Sequence, residues 1–283
     1  MRVEKATKIG FCFGVKRAIE MLEKVCQKHD RVEALGAIVH NQQVLQRLAD
    51  IGVKTVGSLD DTKGDIVAIT THGVSPQLES EMRNRYREII NTTCPFVHRA
   101  QRAAGRLSRA GFFVTIYGDV DHPEVKGILG WANGKGIATL DENFITCQEP
   151  IPRRLGILSQ TTQIPACFTE FARRLVDPIL IKDSEIRIID TICHDIRERQ
   201  QATLELARRV DVMLVVGSHT SANTNHLASL CSSATRTYLI ESADEIQTEW
   251  FQDSYRVGIT GGASTGEQTI DEVLMKLKTE KTN

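Results

Sequence analysis

The sequence predicts an α/β protein built of three similar units, each a small, mostly parallel sheet with helices, in a pseudo-threefold arrangement. Apolar runs of strand length alternate with helical patterns along the chain, which implies parallel sheets with right-handed crossovers. Three times a cysteine closes a strand-like run and opens a helix, at Ile9-Gly10-Phe11-Cys12, Ile89-Ile90-Asn91-Thr92-Thr93-Cys94 and Ile188-Ile189-Asp190-Thr191-Ile192-Cys193. The spacing downstream repeats too, since His40, His122 and Ser221 each lie 28 residues beyond these cysteines. Equal offsets read as internal repeats, each contributing one cysteine and one polar strand end. The units are expected at 13–92, 93–190 and 191–283. The last lacks its own strand-plus-cysteine, so segment 1–12 is expected to complete it and close a ring of three.

Each element follows from a local pattern. Val15, Ile19, Leu22 and Cys26 form one helical stripe, so Cys26 is expected to pack. Residues 32–36 read as a strand, and the polar end His40-Asn41 leads into a helix through Leu48. Residues 65–70 read as a buried strand that ends at Thr71-His72-Gly73. Ser75-Pro76 then caps and opens a helix. Pro95 suits the first turn of the helix after Cys94, and Gly111 ends that helix. Strands follow at 112–117 and 155–158, with polar ends at His122-Pro123-Glu124 and Ser159-Gln160-Thr161-Thr162. A helix is expected through Phe168 to Leu175. In the third unit a helix runs from Cys193 to about Arg209, then strands at 212–216 and 256–260. Their polar ends are Ser221-Ala222-Asn223 and Ala263-Ser264.

Composition narrows the function. The chain of 283 residues has a formal charge of −1, so no global field favours nucleic acid or an anionic membrane. No apolar run approaches the ~20 residues of a spanning helix, and Met1-Arg2-Val3-Glu4-Lys5 lacks a signal-peptide core. A soluble cytoplasmic protein is expected. Seven cysteines on a sizeable core fit reduced thiols or metal ligands better than disulfides. Cys26, Cys147, Cys167 and Cys231 read as structural. Basic residues at 83–87 and 99–109 read as solvated faces.

The remaining polar groups point to a site. In parallel sheets ligands bind beyond the carboxyl ends of the strands. Those ends carry His40, Asn41, His72, His122, Thr161, Thr162, Ser221, Asn223 and Ser264, many donors with few charges. Such donors with helix N-termini suit phosphate or diphosphate. A helix N-terminus also favours a thiolate over a thiol. Three thiolates from three units suggest a metal centre. Structural zinc wants four ligands, usually closely paired cysteines, and Cys12, Cys94 and Cys193 are far apart with no Cys-x-x-Cys. An iron–sulfur cluster accepts wide spacing, and three ligands on a four-iron cluster leave one iron open. Glu124, beside the candidate phosphate ligand His122, could protonate a departing hydroxide. Together the parts describe reductive dehydroxylation of a small diphosphate.

These segments resemble the 4-hydroxy-3-methylbut-2-enyl diphosphate reductase (IspH/LytB) family. The matching residues are Gly10-Phe11-Cys12, His40-Asn41, Thr71-His72-Gly73, Thr93-Cys94-Pro95, His122-Pro123-Glu124, Ser159-Gln160-Thr161-Thr162, Thr191-Ile192-Cys193 with Arg199-Gln200, Ser221 with Asn223, and Gly262-Ala263-Ser264. The resemblance implies a three-lobed trefoil around a central [4Fe-4S] cluster held by Cys12, Cys94 and Cys193. It implies that His40, His72, His122, Ser221, Asn223 and Ser264 hold the diphosphate, with Asn41 at the same strand end as His40. Glu124 would direct proton delivery to the hydroxyl at the open iron, with Thr161 and Thr162 beside it. Single electrons would come from ferredoxin or flavodoxin. The products would be isopentenyl and dimethylallyl diphosphate, in a monomer or weak homodimer.

Departures from the family pattern cluster near the cysteines. They are Phe13, His98, Asp195-Ile196 and Ala222, the last where a second phosphate-binding serine is usual. Two other readings therefore stay open: a paralogue that reduces a different small diphosphate, and an iron–sulfur redox sensor without turnover. His29, His98, His194, His219 and His226 are expected on surfaces or behind the site.

Overall fold

The computed structural model describes residues 1–144, 152–180 and 183–279. All strand pairs in it are parallel. They build three four-stranded sheets with one shared spatial order of strands. The chain divides into two compact units, one of residues 1–16, 39–47 and 194–283, the other of residues 17–38 and 48–193.

The 17–38/48–193 unit holds two sheets. The first has the order β3-β2-β4-β5, from β2 (Val32–Leu35), β3 (Val53–Val56), β4 (Ile66–Ile69) and β5 (Glu88–Asn91). Before it runs α1 (Phe13–Cys26). The crossover from β2 to β3 is α2 (Gln42–Asp50), and that from β4 to β5 is α3 (Pro76–Arg85). Ser75 caps α3 by accepting from the Leu78 amide, and Pro76 fills the first turn, as the Ser-Pro pair predicts. The second sheet repeats the plan after α4 (Pro95–Arg109). Its order is β7-β6-β8-β9, from β6 (Phe113–Tyr117), β7 (Gly136–Thr139), β8 (Arg154–Ser159) and β9 (Glu185–Ile188). The crossovers are α5 (Pro123–Gly130) and α6 (Pro165–Ile179).

This second sheet is packed on both faces, as period-two strands between helices require. Val114, Ile116 and Leu158 meet Ala100, Ala103, Ala104 and Leu107 of α4 and Val125 and Ile128 of α5. Leu155, Ile157 and Tyr117 meet Phe168, Phe171 and Leu175 of α6. Gly156 of β8 lets Leu107 approach, since a Cβ there would stand 2.7 Å from a Leu107 methyl.

In the other unit α7 (His194–Ala207) precedes β10 (Val212–Val216), α8 (Ala222–Ser232), β11 (Arg236–Ile240), β12 (Arg256–Gly261) and α9 (Glu267–Thr279). The sheet order is β11-β10-β12-β1, so β1 (Arg2–Lys5) takes the place that β5 and β9 hold in the other sheets. Residues 2–5 pair in register with residues 256–259. Val212, Leu214 and Val216 pack with Ile270, Val273 and Leu277 of α9. On the opposite face Met213 and Val215 pack with Leu206, Leu227, Cys231 and Ala6.

Two features differ from the sequence reading. The strand expected to reach Cys12 stops at Lys5, and residues 6–12 form a loop. The ladder ends there because the Ala6 amide makes the last contact, to the Ile259 carbonyl, and Gly10 turns the chain at φ +85°. The edge strands β3, β7 and β11 are legible only in the structure. They are short and incompletely buried, and β3 exposes Lys54 and Thr55 between buried Val53 and Val56, which breaks the alternation.

Candidate active site

The three cysteines occupy equivalent positions, each immediately before a helix: Cys12 before α1, Cys94 before α4 and Cys193 before α7. The Cys94 amide donates to the Thr71 carbonyl at 3.0 Å, the Cys193 amide to Thr161 at 2.9 Å, and the Cys12 amide to Ala263 at 2.9 Å. Each acceptor lies two residues past its strand, β4, β8 and β12 respectively. A second tie repeats in two loops. The Thr92 hydroxyl donates to the Ile69 carbonyl, and the Thr191 hydroxyl donates to the Ser159 carbonyl. Asn91 and Asp190 close matching turns by accepting, at 3.0 Å each, from the amides two residues on.

In the 17–38/48–193 unit the structure brings together His72, His122, Glu124 and Thr161. His122 caps α5, its Nδ1 accepting from the Glu124 amide at 3.1 Å. An accepting Nδ1 in a neutral ring leaves the proton on Nε2, which is then a donor. The His122 ring meets His72 edge to face, with centroids 5.3 Å apart. Glu124 is only 2 % exposed. Its Oε1 accepts from the Thr161 amide at 2.6 Å and its Oε2 from the Thr161 hydroxyl at 2.9 Å. Burial pushes the Glu124 carboxyl up to about 7 against the pull of those two bonds. The Thr161 carbonyl takes the Cys193 amide, so one residue joins the carboxyl to the cysteine loop. Thr162 follows, half-buried, in the turn before α6.

The other unit contains His40, Asn41, Ser264, Ser221, Asn223 and Cys12. The Asn41 amide group donates to the Ser264 carbonyl at 2.8 Å, and the Ser264 hydroxyl donates to the His40 carbonyl at 3.1 Å. Burial lowers the His40 ring, which favours its neutral form. Ser221 caps α8 through the Thr224 amide. Asn223 is buried in the first turn of α8, and neither polar atom of its side chain has a protein partner. Leaving a buried amide unpaired costs about 1–3 kcal/mol.

Some expectations need correction. The helix N-terminus was expected to favour a Cys12 thiolate, but burial dominates and raises the thiol, with the Val15 and Gly14 amides opposing it. Cys167 is exposed rather than packed, while Cys231 is fully buried and its thiol is pushed up to about 12. Cys26 is half-buried, and Cys147 lies outside the described residues. The six described cysteines form no disulfide. Among the departures, Phe13 is 57 % exposed and Ile196 is buried. His98 sits half-buried one turn after Cys94, its ring lowered by burial. Asp195 faces Lys8 at 3.0 Å and Arg199 at 3.6 Å. Nothing in the structure explains Ala222.

Thr92, Thr191 and Arg199 also bond to these loops and are not among the residues expected in the site. A signal existed, since Thr92 and Thr191 both stand two residues before their cysteines.

Three such repeats, each with a cysteine just before a helix, and with neutral donors plus a buried carboxyl at the strand ends, fit the class of α/β oxidoreductases to which the chain is similar. The profile of the LytB protein family matches residues 3–278, and the chain belongs to that family. The 4-hydroxy-3-methylbut-2-enyl diphosphate reductase of Dehalococcoides mccartyi (strain CBDB1) is 58 % identical over 273 residues, covering 96 % of each chain. That of Geobacter sulfurreducens is 41 % identical over 280 residues, covering 98 % of this chain and 97 % of the relative. A solved (E)-4-hydroxy-3-methyl-but-2-enyl diphosphate reductase, the terminal enzyme of the non-mevalonate pathway, is 37 % identical with a TM-score of 0.71. It covers 99 % of this chain and is itself covered in full, 100 %. The Plasmodium falciparum reductase, 24 % identical, shares the fold at a TM-score of 0.91, over 98 % of this chain and 88 % of its own.

Proposed function

We propose that the protein reduces (E)-4-hydroxy-3-methylbut-2-enyl diphosphate to isopentenyl and dimethylallyl diphosphate, the last step of the non-mevalonate route to isoprenoid precursors. The reaction replaces a C–O bond with a C–H bond. It consumes two electrons and two protons and releases water. The single observation that carries this reading is the buried Glu124, held by Thr161 beside the His72–His122 pair.

Cys12, Cys94 and Cys193 are proposed to hold a [4Fe-4S] cluster. Three thiols in one repeated setting, without disulfides or Cys-x-x-Cys pairs, suit it. When bound, such a cluster supplies single electrons and one iron with an open coordination position. Ferredoxin or flavodoxin is the proposed electron source. No helix among the described residues is long and apolar enough to cross a membrane. A cytoplasmic monomer or weak homodimer, organised as units 13–92, 93–190 and 191–283 with 1–12, completes the proposal.

The chain's own groups would divide the remaining work. His40, Asn41, His72, His122, Thr162, Ser221, Asn223 and Ser264 would bind the diphosphate, mostly as neutral donors. Neutral donors bind an anion without leaving buried cations behind when it departs. A carboxyl poised near neutrality suits a general acid. With Glu124 protonated, its O–H can donate to Thr161 Oγ1. The threonine then turns its own proton outward, toward the departing hydroxyl. Because Glu124 is buried, Thr161 gives its proton a route to the substrate.

The test is an anaerobic assay with this diphosphate and a chemical reductant, with iron and sulfide counted in the same sample. Turnover with four irons per chain, the count of the proposed cluster, is the expected result. An intact cluster without turnover would overturn the substrate assignment, and a colourless protein would overturn the cluster.

A further inference from the structure

Arg199 is a fully buried guanidinium inside α7, in the unit that contains Cys12. Its Nη2 donates to the Gly10 carbonyl at 2.8 Å and its Nη1 to the Gly261 carbonyl at 2.9 Å. Gly10 stands two residues before Cys12. Gly261 stands two residues before Ala263, the residue whose carbonyl takes the Cys12 amide.

The same two positions are tied in the other repeats, with a different donor. Two residues before Cys94, Thr92 donates to Ile69, which lies two residues before the acceptor Thr71. Two residues before Cys193, Thr191 donates to Ser159, which lies two residues before the acceptor Thr161. In the loop before Cys12 the equivalent position is Gly10. It has no hydroxyl, and its φ of +85° disfavours a threonine. The loop is also longer: seven residues run from the end of β1 through Cys12, against three from β5 through Cys94 and five from β9 through Cys193.

We infer that Arg199 is the positioning residue for Cys12, a forked donor that replaces the threonine tie of the other two cysteine loops. A planar guanidinium holds two N–H groups in a fixed fork toward two carbonyls, a geometry that lysine's flexible ammonium does not fix. Asp195 supplies the counter-charge at 3.6 Å, and Lys8 pairs with that carboxylate at 3.0 Å. A buried guanidinium without such a partner would be costly. This gives Asp195 a purpose in this chain, since it anchors the fork that holds the loop. The inference rests on Cys12 being a cluster ligand.

The experiment uses full-length Arg199→Gln and Arg199→Lys. In cluster-free protein the rate of iodoacetamide labelling is read at each cysteine by mass spectrometry. In loaded protein the rate of iron loss to a chelator is read. Losing the charged tie should speed labelling of Cys12 about tenfold, with Arg199→Lys intermediate. Cys94, Cys193 and buried Cys231 should keep their wild-type rates, and iron loss should accelerate. Unchanged labelling at Cys12 would overturn the inference. So would faster labelling of Cys231 in step with Cys12, which marks general loosening of the unit. If neither variant folds, Asp195→Asn should raise Cys12 labelling alone, and a wild-type rate there would overturn the inference. Should the wild type bind no iron, the cluster proposal fails separately, while the labelling still decides whether Arg199 holds the loop.

Discussion

Glu124 is the residue on which chemistry and stability meet. Its ordinary value is 4.5, and burial moves it to about 7 in the folded chain. Between those values the folded state binds the proton and the unfolded state does not. Its contribution to stability is therefore complete below about 4.5 and is lost as pH rises through about 7, by about 3 kcal/mol in all. Wild type should lose that stability in urea unfolding across this window, and Glu124→Gln should not. Turnover should fall above pH of about 7, as the acid form disappears. Glu124→Gln should cost about 10²–10⁴ in kcat and remove that alkaline limb. A Gln variant with wild-type kcat would remove Glu124 from proton delivery.

At the scale of elements, the strand-to-helix loops carry the site, and each is tied by few bonds. The loop after β4 turns at Gly73, with φ +70°, and a Cβ there would meet Thr93 at 2.9 Å and the Gln101 amide group closer still. Gly73→Ala should cost about 1–2 kcal/mol from the backbone alone. By displacing neighbouring His72 it should also lower kcat/KM about tenfold or more. Steady-state kinetics beside a urea midpoint separates the two effects. The loop after β9 depends on Thr191, whose hydroxyl donates to the Ser159 carbonyl and accepts the Ser159 amide at 2.9 Å. Thr191→Val keeps the volume and leaves both groups unpaired, an expected loss of about 1–3 kcal/mol. An unchanged urea midpoint would contradict that tie.

For the whole molecule, the instructive feature is where the chain begins. β1 covers the edge of β12 and supplies the fourth strand of its sheet. Deleting residues 1–5 would uncover β12 between residues 256 and 259 and remove Val3 from its contact with the core. An exposed parallel edge invites association with other chains. The truncated protein should unfold at lower urea and aggregate on gel filtration, with the far-UV spectrum of the remaining sheets retained. A monodisperse, equally stable truncation would show that β1 is dispensable.

Periodicity and spacing are properties of the chain, so the alternation of strands and helices, the repeated cysteine and the polar strand ends can be read before folding. Ser75 and Pro76 announce α3, and Cys94-Pro95 announces α4, through capping rules that need no distant partner. Glu124 could be named as an acid, but its shift toward 7 could not, since burial comes from residues remote in sequence. The edge strands β3, β7 and β11 emerge only on folding, because their weak patterns depend on the ladder beside them. The tertiary structure alone exposed Cys167 at the start of α6 and buried Cys231 at the end of α8. It alone gave Arg199 its partners, because Gly10 lies 189 residues away and only folding brings a guanidinium to that carbonyl.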